Sequence, residues 1–218
     1  MIQIKVFEVN PWGENTYIVY DETHQAVIID AGCFTTEEEQ QLKNFIDQNN
    51  LKPVYLLNTH LHIDHILGNH FVKKTYGLSP LAHENDEFLI DQTLSYANQL
   101  GLKLKNDPPY PSQYIDEGQI LLVGNFQIEV IHVPGHTPGH LVFYIKEHNI
   151  LFTGDVLFNL SIGRTDLIYG NYDALIKGIF YKILPLPDNT LIYPGHGEST
   201  NVGFERANNP FLKHYNFN

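Results

Sequence analysis

The sequence predicts a protein of the α/β (α+β) class, in which two layers of β-sheet are each covered by helices. Two observations lead to this prediction. Short β-branched and apolar runs recur throughout the 218 residues, and helical segments with an apolar stripe separate them. The order is strands, helix, strand, helix, then strands, helix, strand. The second half therefore has a succession of strands and helices similar to that of the first. Because no linker separates the halves, we predict one domain over residues 1–218.

The first part of the chain predicts three strands, a helix and a buried strand. Thr35 or Thr36 can cap the helix, and the glutamates that follow favour its dipole. The last strand is a continuous apolar run, which is typical of a strand buried on both faces. In chain order these elements cover residues 2–7, 16–20, 26–29, 35–49 and 53–57.

After a polar loop, the pattern predicts two more helices with a short strand between them. The helices stop at Gly77 and Gly101, because glycine favours the end of a helix. Three prolines then mark a loop. The helices cover residues 66–76 and 86–100, the strand residues 79–82 and the loop residues 106–112.

The second half predicts two pairs of strands, a long helix, a strand and a short helix. The dipeptide Gly124-Asn125 is a hairpin turn signal between the first two strands. Pro185 and Pro187 stop the long helix. The strands cover residues 119–123, 126–131, 141–145, 150–152 and 190–193, and the helices residues 172–184 and 201–208.

Charge and composition exclude several classes of partner. The formal net charge is −12, and the longest basic run is Lys73-Lys74. Nucleic acids and anionic membranes attract clustered basic residues, so neither is an expected partner. No apolar run is long enough to predict a membrane span, and Cys33 has no second cysteine with which to form a disulfide. We expect a cytoplasmic protein, either a monomer or a homodimer.

The most informative segment is residues 59–65, Thr-His-Leu-His-Ile-Asp-His. It follows a predicted strand and offers His60, His62, Asp64 and His65 as four possible metal ligands. In an extended loop His60 and His62 point the same way, so they can bind one ion. Asp64 and His65 follow the bend and can bind a neighbouring ion.

Three further candidates, His136, Asp155 and His196, each follow a predicted strand and a glycine that permits a sharp turn. Each alone would favour an ordinary turn residue or cap. Together with residues 59–65 they favour a site of five histidines and two aspartates for two ions. Nitrogen and carboxylate ligands without thiolate suit zinc, iron or manganese.

These segments resemble the ligand motifs of the metallo-β-lactamase fold superfamily, in the same order and spacing, over nearly the whole chain. Residues 157–167 and 209–211 resemble the short, glyoxalase II-like branch. The resemblance implies a four-layer αββα sandwich, the metallo-β-lactamase fold, with the site at one edge. It also implies two divalent metal ions, with zinc as the first choice and iron or manganese as alternatives. The implied ligands are His60, His62 and His136 for one ion, Asp64, His65 and His196 for the other, and Asp155 as a bridge.

The resemblance further implies a hydroxyacylglutathione hydrolase-like enzyme that cleaves a small-molecule acyl thioester. A hydroxide held between two metal ions attacks the carbonyl, with Asp64 and Asp155 as catalytic residues. Full-length glyoxalase II enzymes grip glutathione through a basic C-terminal extension. In residues 197–218 only Arg206 and Lys213 are basic, so the sequence leaves the thiol unspecified.

Two alternatives remain. A mononuclear iron persulfide dioxygenase, which the sequence also resembles, would use His60, His136 and Asp155 and leave Asp64, His65 and His196 without a ligand role. A binding or scaffold protein would not use the ligands for chemistry.

Two residues are candidate substrate contacts. Arg164 can meet a substrate carboxylate or pair with Asp166, and Tyr110 can line the pocket together with Tyr96 and two prolines. His140 stays unassigned.

Overall fold

The computed structural model describes residues 1–213 and contains two six-stranded β-sheets. In the first sheet the strands follow chain order: β1 (Gln3–Val9), β2 (Glu14–Tyr20), β3 (Gln25–Ile29), β4 (Lys52–Leu57), β5 (Pro80–Ala82) and β6 (Gln113–Tyr114). Strands β1 to β3 pair antiparallel, and β3 to β6 pair parallel.

The second sheet begins with four antiparallel strands: β7 (Ile120–Val123), β8 (Phe126–His132), β9 (Leu141–Ile145) and β10 (Ile150–Gly154). A separate ribbon follows, formed by β11 (Leu157–Phe158) and β12 (Ser161–Ile162). Two strands then complete the sheet beyond β10: β13 (Leu191–Pro194), which is parallel to β10, and β14 (Thr200–Asn201), which is antiparallel to β13.

In the described part of the chain, six α-helices accompany the sheets: α1 (Thr36–Gln48), α2 (Ile63–Ile66), α3 (Asn69–Tyr76), α4 (Phe88–Gln99), α5 (Tyr172–Gly178) and α6 (Val202–Asn208). Thr35 caps α1 through the main-chain N–H of Glu38, and the Glu38 carboxylate accepts from the N–H of Thr35. This reciprocal capping box explains why the helix begins where the threonines and glutamates predict it.

Alternating side chains divide the strands between a central core and two outer cores. In β3, Val27 lies in the core between the two sheets, whereas Ile28 packs in the core that includes α1 and α3. In β9, Phe143 lies in the central core, whereas Val142 packs in the core that includes α5. The layers are therefore helices, sheet, sheet and helices, which confirms the expected αββα sandwich.

The structure corrects two predicted helices. The helix predicted over residues 66–76 forms only as α3, because Ile66 ends a separate short helix, α2, and Gly68 lies between the two. The N–H of Gly68 donates to the carbonyl of Ala31 at 2.7 Å, and a Cβ on Gly68 would lie only 3.0 Å from that oxygen. The helix predicted over residues 172–184 is α-helical only in α5, and it continues as a π-helix over Ile179–Ile183.

Four strands, β6, β11, β12 and β14, were not predicted from the sequence. Each has only two residues, which is too short to show an alternating pattern. Within residues 1–213, no helix combines the length and the apolar character needed to cross a lipid bilayer. Cys33 is buried, and burial raises the pKa of its thiol.

Candidate metal centre

The loop that carries four of the candidate ligands begins directly after β4. The side chain of Asp30 fixes the start of this loop. The buried Asp30 carboxylate accepts from the main-chain N–H and the hydroxyl of Thr59, both at 2.7 Å. Asn58 donates its side-chain amide to the carbonyl of His65 at 3.0 Å. These bonds close the loop into a compact turn, so that His60 and His65 have their ring centroids 4.1 Å apart.

The other three candidates lie on loops that follow β8, β10 and β13. Two of these turns need glycine, since Gly135 and Gly154 have φ values of +137° and +48°. A Cβ on Gly154 would also stand 2.4 Å from the Thr59 hydroxyl oxygen. Glycine therefore lets the loop after β10 approach the loop after β4 closely.

The structure brings all seven predicted ligands together at one edge of the sandwich. Within each of three overlapping groups, one possible ligand atom from every member lies within 4.8 Å of the others. The groups are His60, His62 and His136; Asp64, His65 and His196; and His60, His65 and Asp155.

Asp155 lies between the first two groups, with one carboxylate oxygen facing each. Its Oδ2 is 3.5 Å from Nε2 of His136. Its Oδ1 is 3.5 Å from Nε2 of His65 and 3.7 Å from Nε2 of His196. This is the arrangement that a carboxylate bridging two cations requires.

Three buried atoms at the centre fit a bound cation. Nε2 of His60, Nε2 of His65 and Oδ1 of Asp155 have no hydrogen-bond partner among residues 1–213. Buried polar atoms in proteins are nearly always paired, because leaving them unpaired is costly. A cation held by these atoms would satisfy them, and imidazole nitrogens with carboxylate oxygens form a donor set for zinc, iron or manganese.

The histidines of the first group are neutral at pH 7. Burial lowers the pKa of His60 and His136, and it lowers the pKa of His62 to about 3, with a further contribution from His136. A metal ligand must present an unprotonated nitrogen, so these three rings are ready to bind a cation.

The second group carries opposite charges that stabilise one another. Burial raises the pKa of Asp64 and Asp155, but the neighbouring histidines, with His65 first among them, together outweigh burial, so both carboxyls end below their usual range. Burial lowers the pKa of His196, but the hydrogen bond to Asp64 and the negative charges of Asp155 and Asp64 together raise it above the usual value. Nε2 of His196 lies 3.2 Å from Oδ2 of Asp64.

Three histidines use Nδ1 to bond an acceptor outside the centre. His65 donates to Asp30 Oδ2 at 3.1 Å. His136 donates to the carbonyl of Arg164 at 2.8 Å, and His196 donates to the carbonyl of Trp12 at 3.2 Å. Such bonds orient the rings so that each Nε2 faces the centre.

Asp30 and His140 both support the site, but Asp30 was not predicted from the sequence and His140 had no assigned role. Asp30 directly follows a predicted strand, the same position that singled out the ligand candidates, so this signal could have identified it. His140 stacks on His60 with ring centroids 4.7 Å apart. No local pattern predicted that contact.

A cavity of about 430 Å³ opens onto the centre. Of the two expected substrate contacts, Arg164 and Tyr110, one lines this cavity and the other does not. Arg164 lines the cavity and also forms the ion pair with Asp166 that the sequence suggested. Tyr110 is not among the lining residues. Its hydroxyl donates to Asp91 on α4, and half of its surface is exposed, so its expected role in the pocket is not supported. Tyr96 of α4 does line the cavity.

A sequence profile of the Metallo-beta-lactamase superfamily matches residues 9–196. The chain belongs to this superfamily. Among its relatives, the hydroxyacylglutathione hydrolase GloC of Haemophilus influenzae is 38% identical over 217 residues, covering 97% of this chain and 98% of that protein.

Solved structures of the superfamily confirm the fold. The BLEG-1 B3 metallo-β-lactamase superposes with a TM-score of 0.88 at 33% identity, covering 97% of this chain and 100% of that one. TTHA1623, in a di-iron-bound form, gives a TM-score of 0.85 at 34% identity, covering 95% and 100%. This metallo-β-lactamase fold implies a metallo-hydrolase that binds divalent metal at the His/Asp cluster.

Proposed function

We propose that this superfamily member is a dinuclear metal-dependent hydrolase of small acyl thioesters. The observation that carries the proposal is the position of Asp155, whose two oxygens face two complete groups of three ligands. The name of the relative GloC supports the substrate class, because a hydroxyacylglutathione is an acyl thioester.

In this proposal His60, His62 and His136 hold one ion, Asp64, His65 and His196 hold the other, and Asp155 bridges them. When bound, two such cations supply a deprotonated water at neutral pH and a positive charge that stabilises the carbonyl oxygen. Zinc is the first choice, and the di-iron form of TTHA1623 supports iron as an alternative.

Asp64 and Asp155 are the proposed catalytic residues among these ligands. Asp64 is ionised and can orient the attacking water through a hydrogen bond to its carboxylate. The Asn10 side-chain amide donates to the Asp64 carbonyl at 2.9 Å and to the Gly32 carbonyl at 3.1 Å, which fixes the main chain of Asp64. A thiolate leaves readily, so the site does not need a strong general acid.

Metal analysis together with thioester turnover tests the proposal. We expect about two metal ions per chain and hydrolysis of acyl thioesters. Asp155→Ala should lose metal and lower kcat/KM by more than about 100-fold, since even residues that only support ligands account for about 10- to 100-fold. Asp47→Ala, at an exposed carboxylate on α1, is the control and should behave as wild type. One ion per chain at full loading, with no thioester hydrolysed, would contradict the proposal.

Oxygen uptake separates this function from that of an iron persulfide dioxygenase. That enzyme would leave Asp64, His65 and His196 without a ligand role, yet Nε2 of His65 is buried and unpaired. We therefore expect no oxygen uptake when iron-loaded protein is mixed with glutathione persulfide.

A further inference from the structure

One wall of the cavity is a single face of α4. Leu89, Gln92, Thr93 and Tyr96 all line the cavity, and their spacing of three and four residues places them on the same side of a helix. Thr93 donates its hydroxyl to the carbonyl of Leu89 at 2.9 Å. Its polar group is thus already paired within the helix, and of these four side chains only Gln92 offers an amide to a ligand.

The remaining lining residues beyond the candidate ligands are mostly apolar. They are Trp12, Leu61, Ile63, Arg164, Leu167 and Ile168. The segment that carries Leu167 and Ile168 is joined to α4 by an edge-to-face contact between Phe88 and Tyr169, with ring centroids 5.1 Å apart. The cavity therefore has two walls that contact each other next to the metal centre, and Leu89, Leu167 and Ile168 give them apolar surface.

The cavity offers little to an anionic substrate. Among its lining residues outside the candidate ligands, Arg164 is the one with a charged side chain. Its guanidinium already forms two hydrogen bonds to Asp166, at 2.8 and 2.9 Å. A carboxylate in the cavity would compete with Asp166 for this cation, in a chain whose net charge is −12.

We propose that the substrate thioester carries an uncharged apolar group of several carbon atoms, which packs between α4 and Ile168. This inference rests on the proposed thioester hydrolysis and specifies its substrate class. The volume of about 430 Å³ is within the range of small-molecule sites, which are mostly apolar with a few polar groups that fix orientation. The apolar group can belong to the acyl half or to the thiol half of the molecule.

Two series of substrates test this proposal and distinguish the two halves. The first series runs from acetyl to hexanoyl thioesters of N-acetylcysteamine, a small neutral thiol. The second runs from ethyl to hexyl thiols, each acetylated. We expect kcat/KM to rise about three- to fourfold for each added methylene in one of the series, since a buried methylene contributes about 0.8 kcal/mol. S-lactoylglutathione, with its charged thiol, should be a poorer substrate than the best apolar thioester.

Matched variants on α4 locate the apolar group. Tyr96 and Leu94 are similarly exposed, at 46% and 45%, but only Tyr96 lines the cavity. Tyr96→Ala should reduce the gain per methylene, and so should Ile168→Ser. Leu94→Ala is the control and should show the same gain in kcat/KM per added methylene as wild type.

A binding measurement that needs no turnover uses Trp12, the single tryptophan of the chain, which lines the cavity. S-hexyl-N-acetylcysteamine, a thioether that cannot be hydrolysed, should shift Trp12 emission to shorter wavelength in the metal-loaded protein. S-methyl-N-acetylcysteamine at the same concentration should not.

The outcomes separate this inference from the proposed function. If short or charged thioesters are hydrolysed but neither series gains with length, the apolar site is wrong and the hydrolase stands. If no thioester is hydrolysed, the proposed function falls. The Trp12 titration then still decides whether the cavity binds apolar ligands, and equal shifts with the hexyl and methyl compounds would overturn the inference.

Discussion

The main-chain N–H of Asp155 donates a hydrogen bond to Nε2 of His140 at 3.0 Å. This bond holds the main chain of the proposed bridging ligand. The His140 ring also stacks on the His60 ring, with an interplanar angle of 20°. Burial lowers the pKa of His140 well below its usual value, so the ring is neutral, and the bond from Asp155 makes Nε2 the nitrogen that accepts. His140 thus connects two candidate ligands without offering an atom to either group.

Replacing His140 by Phe should therefore weaken metal binding. Phe keeps an aromatic ring against His60 but leaves the N–H of Asp155 without its acceptor. Residues that support ligands typically contribute about 10- to 100-fold in metal affinity, and we expect a loss in this range. Competition with a chelator measures it. His148→Phe, at an exposed turn, should bind metal as wild type does, and equal affinities for the two variants would contradict the role of His140.

A methyl group on Gly195 should also disturb the centre. A Cβ at this position would lie 2.4 Å from Oδ1 of Asp155 and 2.8 Å from Cε1 of His65. Gly195→Ala must therefore displace a candidate ligand, and we expect fewer metal ions per chain. Gly77→Ala is the control, since nothing lies within 4 Å of its added methyl group. The control should lose stability, because Gly77 has a φ of +74°, but keep its metal content.

Local pattern was enough to predict the strands that carry the ligands, and the seven ligand candidates themselves. Residues 59–65 form a dense cluster, and His136, Asp155 and His196 each follow a strand and a glycine. Both features are readable within a few positions of the chain. The convergence of these loops follows from a sheet topology that places several strand ends at one edge.

The supporting contacts could not be predicted in this way, because they join residues that are distant in sequence. His140 reaches Asp155 across β9 and β10, and the carbonyl of Trp12 reaches His196 from the opposite end of the chain. The prediction that Tyr110 lines the pocket was wrong for a related reason. Its aromatic, proline-rich surroundings predicted a pocket wall, but its hydroxyl bonds to Asp91 instead.

Removal of metal should lower the stability of the folded protein. The empty centre would leave three buried atoms of His60, His65 and Asp155 unpaired. A ligand that binds only the folded state adds about 4 kcal/mol when present at 1,000 times its Kd. We expect treatment with a chelator to lower Tm, and added zinc, iron or manganese to restore it. An unchanged Tm in wild type, or an equal response in Asp155→Ala, would argue against a metal at this position.

Asp86 should make the stability depend on pH in a distinctive direction. The buried Asp86 carboxylate accepts from the Thr137 hydroxyl at 2.7 Å and from the N–H of Gly139 at 2.6 Å, and so anchors the loop that carries His136. Burial raises the pKa of Asp86 to about 6, although hydrogen bonds from Thr137, Gly139 and Leu61 oppose the shift.

The direction of this pH dependence follows from how many protons the folded protein and the unfolded chain bind at Asp86. Between the ordinary value of 3.8 and about 6, the folded protein keeps the proton on Asp86 and the unfolded chain releases it. The contribution of Asp86 to the free energy of unfolding is therefore greatest below pH 4, falls as the pH rises to about 6, and stays low above it. Two units of pKa correspond to a change of about 3 kcal/mol.

Urea unfolding of wild type and Asp86→Asn between pH 4 and pH 7 measures this contribution, because the variant cannot titrate at this position. We expect the stability advantage of wild type over the variant to shrink by about 3 kcal/mol across the range. Asp47→Asn, at an exposed carboxylate, should differ from wild type by less than about 0.5 kcal/mol at every pH. An advantage that grows with pH would show that the hydrogen bonds to Asp86 outweigh its burial, so that the anchor of the His136 loop is a carboxylate throughout.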